Sequence, residues 1–136
     1  MKLTNEVEYG FRTIHYLANA PKGKIISSVE ISNNEKIPHL FGLRILKKLA
    51  DAGIVEVFKG SRGGYRLKKD ARKVSLKDVI EAIEDKINIS AGIAVKGACS
   101  DRYEKSGIGK AINGIEKEFI KGLGGVTFNE FIKKSK

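Results

Sequence analysis

Apolar residues change their spacing several times along this chain, and each change marks an element. Val7, Phe11, Ile14 and Ala18 recur at three- and four-residue steps, the repeat of one helix face. Thr4 is placed to cap that helix, and Pro21, Lys22 and Gly23 to stop it, about four turns later. Ser27 and Glu30 have the spacing of a capping box, which opens a short second helix through Val29 and Ile31 before the turn-forming Asn33 and Asn34. Pro38 suits the first turn of a third helix, which runs to about Asp51 and is closed by Gly53. Wound at the helical period, Gly42, Leu43, Ile45, Leu46, Leu49 and Ala50 share one side of it. Leu40, Arg44, Lys47, Lys48 and Asp51 share the other, so that one face is core and the opposite one a basic stripe.

The pattern then turns extended. Ile54 to Phe58 is β-branched and aromatic, and Tyr65-Arg66-Leu67 resumes after Gly60-Ser61-Arg62-Gly63-Gly64, which predicts a hairpin with a glycine-rich tip. Val74-Ser75-Leu76 starts a fourth helix through Val79, Ile80 and Ile83, with Ser75 as cap and Asp78 three residues on. Residues 86–101 lose clear periodicity and collect Ser90, Gly92, Gly97, Cys99 and Ser100, which reads as a loop. From about Tyr103 to Leu123, Ile108, Ala111, Ile112, Ile115, Phe119 and Leu123 outline a long apolar stripe. Gly107, Gly109 and Gly114 weaken that helix by roughly 1 kcal/mol each relative to alanine, so it needs a packing partner. Thr127 and Glu130 have the spacing of another capping box, before a short terminal helix with Phe128, Phe131 and Ile132. The expected fold is mainly α with a small β-hairpin. Residues 1–84 form a winged helix-turn-helix unit, 85–102 a loop with Cys99, and 103–136 a dimerisation helix and a short terminal helix.

Composition narrows the function. With 41% hydrophobic and 31% charged residues the chain is globular in character, and a formal net charge of +10 favours a polyanionic partner. One cysteine excludes an internal disulfide, the first residues hold no apolar core of signal-peptide length, and no apolar run spans a bilayer, which together imply the cytoplasm and no membrane partner. The glycine-rich tip lacks the Gly-Lys-Ser/Thr ending of a nucleotide-binding loop. One Cys and two His, without a recognisable nucleophile and base, argue against an enzyme.

Two short helices, an amphipathic basic helix and a basic hairpin, in that order, meet the needs of a winged helix-turn-helix. The third helix is slim enough for the major groove of double-stranded DNA, and the hairpin reaches the backbone or the adjacent minor groove. In this reading Arg44 bridges guanine O6 and N7, Lys47 and Lys48 hold phosphates, and Leu40 meets a thymine methyl. Pro38 and His39 stand at the start of the helix, with His39 facing a phosphate. Ser27 exposes a helix N-terminus to the backbone, and Lys2 and Thr4 add backbone contacts. In the wing, Lys59, Ser61 and Arg66 contact backbone, Arg62 enters a narrow minor groove, and Gly63 and Gly64 shape the turn. The competing reading of the same basic surface is a winged-helix module that binds an acidic protein partner.

Met1-Lys2-Leu3-Thr4 with Tyr9-Gly10, Ile37 followed by Phe41 and Ile45-Leu46, Leu49 to Val55, Gly60 to Leu67 and Val74 to Glu84 resemble the IscR/NsrR/CymR-type transcription regulators. The resemblance is close over residues 1–84, and the Gly-Gly-Tyr-Arg-Leu wing is its most specific part. It implies a bacterial homodimeric regulator, a repressor in the main, that binds a palindromic operator, with the long C-terminal helix crossing to the second subunit. It also implies a sensor, because many relatives hold an iron-sulfur cluster on three cysteines in the loop that here carries only Cys99. The implied alternatives are no cofactor, an atypical cluster in which Glu8 or His15 joins Cys99, a Cys99 thiol that answers to oxidation, or a regulatory protein partner.

Overall fold

The structure, a computed structural model, describes residues 4–84 and 106–132. Lys2, the expected loop 85–102 with Cys99, and the first residues of the segment expected from Tyr103 lie outside the described residues. Among the described residues five helices and one hairpin follow in order: α1 (Asn5–Asn19), α2 (Ser28–Glu35), α3 (His39–Asp51), β1 (Val55–Phe58), β2 (Gly64–Leu67), α4 (Leu76–Glu84) and α5 (Gly107–Gly124). Two 3-10 turns, Ala71–Lys73 and Phe128–Phe131, complete the described chain.

The helix ends follow from local chemistry. The Thr4 hydroxyl accepts from the Val7 amide and the Ser27 hydroxyl from the Glu30 amide, each quenching a donor that the first helical turn cannot satisfy. Ser75 and Asp78 form a complete capping box, the Ser75 hydroxyl accepting from the Asp78 amide while the Asp78 carboxylate accepts from the Ser75 amide. The box at Ser27 is only half made, because the Glu30 carboxylate accepts instead from the Tyr16 hydroxyl at 2.8 Å. At the end of α3 the Gly53 amide donates to Ala50 and the Ile54 amide to Leu49, a paired closure that turns the chain straight into β1. Pro38 stands one residue ahead of α3, as its N-cap.

One core joins all the helices of the N-terminal unit. Val7, Ile14 and Leu17 of α1, Ile31 of α2, Ile45, Leu46 and Leu49 of α3, and Val79, Ile80 and Ile83 of α4 are all buried. Close contact between α1 and α4 depends on Gly10, where a Cβ would stand 3.1 Å from Val79. Gly42 plays the same part between α2 and α3, where a Cβ would stand 2.9 Å from the Ser32 hydroxyl.

The hairpin is antiparallel, with Val55 opposite Leu67 and Phe58 opposite Gly64. It gains a third partner that the periodicity did not reveal: Ile26, in the connection between α1 and α2, exchanges both backbone hydrogen bonds with Tyr65, each 2.8 Å long. Gly64 permits this approach, since a Cβ there would lie 2.5 Å from the Ile26 carbonyl oxygen.

Three sequence expectations are corrected. Leu43, assigned to the core side of α3, is exposed, because the core side narrows to Gly42, Ile45, Leu46 and Leu49. The long helix starts at Gly107 among the described residues, with the Ser106 hydroxyl accepting from the Gly109 amide as its cap. Thr127 makes no capping bond and the segment after it is a 3-10 turn, because the Thr127 hydroxyl turns to the Asn129 side chain. That segment also folds back: Leu76 donates to Val126 and Phe128 to Val74, so that residues 126–128 run along the start of α4 and bury Phe128 in the N-terminal core.

Candidate nucleic-acid interface

The buried side of α3 leaves Leu40, Phe41, Leu43, Arg44 and Lys47 on the outside. Leu40 is 79% exposed, far more than an isoleucine or leucine that only completes a neighbouring core. His39 is exposed at the helix start, where its Nε2 lies 3.2 Å from the Ser28 hydroxyl and ties the first turn of α2 to the first turn of α3. Ser27, Ser28 and His39 therefore form one polar edge beside the outer face of α3.

Arg44 is the best-defined cation of this face. Its guanidinium stands 5.3 Å from the centre of the Phe41 ring, and that ring leans against Tyr9 at 6.4 Å. Its Nη1 donates to the Glu6 carboxylate at 3.3 Å, and its side chain remains 57% exposed. Lys48 is more deeply held: its ammonium donates to Glu6 at 3.1 Å and to the Ile83 carbonyl at 3.2 Å, which links α3 to the first turn of α1 and the last turn of α4. Two cations on one carboxylate hold the Glu6 carboxyl below the ordinary range, the Lys48 hydrogen bond contributing most and partial burial opposing it. Lys47 is exposed and makes no ion pair among the described residues.

In the wing, Lys59, Ser61 and Arg62 are exposed at the tip, and neither Lys59 nor Arg62 is paired among the described residues. Arg66 is differently employed. Its Nε donates to Glu56 at 3.1 Å across the hairpin, and its guanidinium covers the Phe58 ring at 4.7 Å. Gly63 serves geometry, since a Cβ there would stand 2.2 Å from the Phe58 carbonyl oxygen. Thr4 is occupied on both sides, capping α1 and donating to the Glu84 carboxylate at 2.6 Å.

The geometry thus brings together Ser27, Pro38, His39, Leu40, Arg44 and Lys47 around one helix, and Lys59, Ser61 and Arg62 at one hairpin tip. It turns Thr4, Lys48 and Arg66 toward structural partners. Of the candidate sensor residues, Glu8 pairs with Arg12 at 2.5 Å and His15 lies on the same helix two turns further on. Sequence reasoning missed Glu6 and the platform role of Phe41. Glu6 looks in the sequence like any acidic residue of a first helical turn, and nothing local announces its partners.

No helix among the described residues is long and apolar enough to cross a membrane. A family profile described as Rrf2, iron-dependent transcriptional regulator, matches residues 3–134. The chain belongs to the Rrf2 family. Members of this family are transcription regulators with a winged-helix fold, which agrees with the absence of a recognisable catalytic constellation in the sequence. Protein aau3 of Rhizobium meliloti (strain 1021) is 28% identical over 134 residues, covering 98% of this chain and 86% of that protein. CymR, the global cysteine regulator of B. subtilis, superposes with a TM-score of 0.74 at 19% identity, covering 95% of this chain and 94% of CymR. IscR of T. potens superposes with a TM-score of 0.69 at 18% identity, covering 95% and 84% of the two chains. The last two likenesses establish the fold alone; that the chain is a transcription regulator of the Rrf2 type rests on the family profile.

Proposed function

We propose that this Rrf2 chain is a sequence-specific repressor that binds a palindromic operator as a homodimer, reading the major groove with α3 and the flanking backbone with the wing. The observation that carries this reading is the outer face of α3, where Arg44 and Lys47 project beside an exposed Leu40 while the opposite face is wholly core. Dimerisation is supported by α5, on which Ile108, Ile115 and Phe119 are exposed at helical spacing. Full burial of side chains of this size stabilises by about 1.5–3 kcal/mol each, which a second copy would supply.

The test is selection of a preferred duplex from a random pool by the purified protein, followed by titration over salt concentration. The expected product is a palindrome bound by two chains per duplex, with affinity falling steeply and linearly on a log-log plot as salt rises. Arg44→Ala should cost about 1–3 kcal/mol at one symmetric pair of positions and little elsewhere. Selection of no preferred duplex, or binding indifferent to salt, would sink the reading.

We also read the chain as working without a conventional iron-sulfur cluster, although the family profile is described as iron-dependent. The donor set supports this: the whole chain has one cysteine, and the Glu8 carboxylate is engaged by Arg12. Protein purified without oxygen should carry neither iron nor acid-labile sulfide. Stoichiometric amounts of both, lost in Cys99→Ser, would establish a cluster with unusual ligands.

A further inference from the structure

Glu6 sits where no DNA-binding face needs an acid. It lies in the first turn of α1, 28% exposed, and its two carboxylate oxygens take different cations of α3: Oε1 accepts from Arg44 and Oε2 from Lys48. Lys48 is fixed in turn by the Ile83 carbonyl, so the carboxylate is itself held in place from behind. Arg44 is therefore held at Nη1 by Glu6 with its guanidinium carbon over the Phe41 ring at 5.3 Å, while its Nε and Nη2 donors have no partner among the described residues.

An exposed arginine left to itself is a flexible cation that settles on any phosphate. A guanidinium anchored at one nitrogen and stacked on a ring is a fixed fork, and a fixed fork recognises an acceptor pair in one plane. Such a pair is offered in the major groove by guanine O6 and N7. The carboxylate has a second effect. It stands among the cations of the binding face and repels phosphate, weakening attachment to DNA of any sequence.

We propose that Glu6 is a specificity-determining positioning residue, which orients Arg44 for base readout and at the same time suppresses sequence-independent binding. This rests on the DNA-reading role of α3 proposed above. In competition with a random duplex, Glu6 trades overall affinity for discrimination.

The test compares wild type, Glu6→Gln, Glu6→Ala, Arg44→Ala and the Glu6→Gln/Arg44→Ala double variant on the wild-type-selected duplex, on that duplex with the Arg44-dependent base pair replaced, and on random duplex. Thermal melting establishes that each variant folds, and Glu6→Gln keeps the size of the side chain. With Glu6 replaced, binding to random duplex should tighten about three- to tenfold at low salt, and the ratio of selected to base-replaced affinity should fall about tenfold. In the Arg44→Ala background the Glu6 change should no longer alter that ratio. A folded Glu6→Gln protein that keeps the full ratio overturns the proposal, as does a fall in affinity for all duplexes alike, which is the mark of a merely structural acid. If wild type selects no duplex, the reading of α3 fails and the role of Glu6 falls with it; a selected duplex with an unaltered ratio overturns Glu6 alone.

Discussion

Glu6 also carries a pH signature that can be read without DNA. Its carboxyl is held below the ordinary glutamate range in the folded chain, chiefly by the Lys48 hydrogen bond, and returns to that range, about pH 4.3, on unfolding. The unfolded chain therefore binds the extra proton first, and the stabilisation is fully present above the ordinary value and lost as pH falls through the lowered one. In urea unfolding, wild type should exceed Glu6→Gln in stability at neutral pH, and the gap should close on acidification below about pH 4.3. A gap constant down to pH 3 would mean that the carboxylate charge contributes nothing to the fold. Residues whose bonding is local were legible in the sequence: Thr4, Ser27 and the Ser75–Asp78 pair cap the helices they were expected to cap. Glu6 was not, because its partners lie 38 and 42 residues away and only the packing of α1 on α3 brings them together. Lys48 shows the converse. Its place on the helical wheel is polar, yet the carbonyl end of α4 reaches it and adds a structural tie that the wheel does not show.

Elements were legible where amphipathic spacing and a stop signal coincide, as in α1, α3 and α4, and in the wing. They were misjudged where tertiary pairing decides the conformation. The stretch after α5 has the spacing of a capped helix, but Val126 and Phe128 bond to Leu76 and Val74, and that extended pairing leaves room only for a 3-10 turn. The same pairing ties the C-terminal segment into the N-terminal core through Phe128, whose ring meets Phe11 at 6.3 Å and is buried. Phe128→Ala should accordingly destabilise the protein by about 3–5 kcal/mol, as removal of a buried aromatic ring does elsewhere, measured by chemical denaturation. A cost under about 1 kcal/mol, the size expected of an exposed site, would show that the segment folds onto the core without holding it.

At the scale of the molecule, the order of helices and hairpin was sufficient to foresee the winged helix-turn-helix. What the order did not reveal is how the wing is joined to the rest. Ile26 and Tyr65 exchange two backbone bonds, so the connection that leads into α2 is also bridged to the wing along the free side of β2. The wing is then no free-standing hairpin whose strands can part on their own; opening it requires releasing the segment from which α2 starts. The Ile26 and Tyr65 amides should therefore exchange hydrogen for deuterium at matching, slow rates, with fast exchange confined to the tip around Ser61 and Arg62. Rapid exchange of Tyr65 alone would break that linkage. With the linkage in place, helix-turn-helix and wing open and close as one cooperative unit, and a protein that meets DNA with both presents them already set at a fixed spacing.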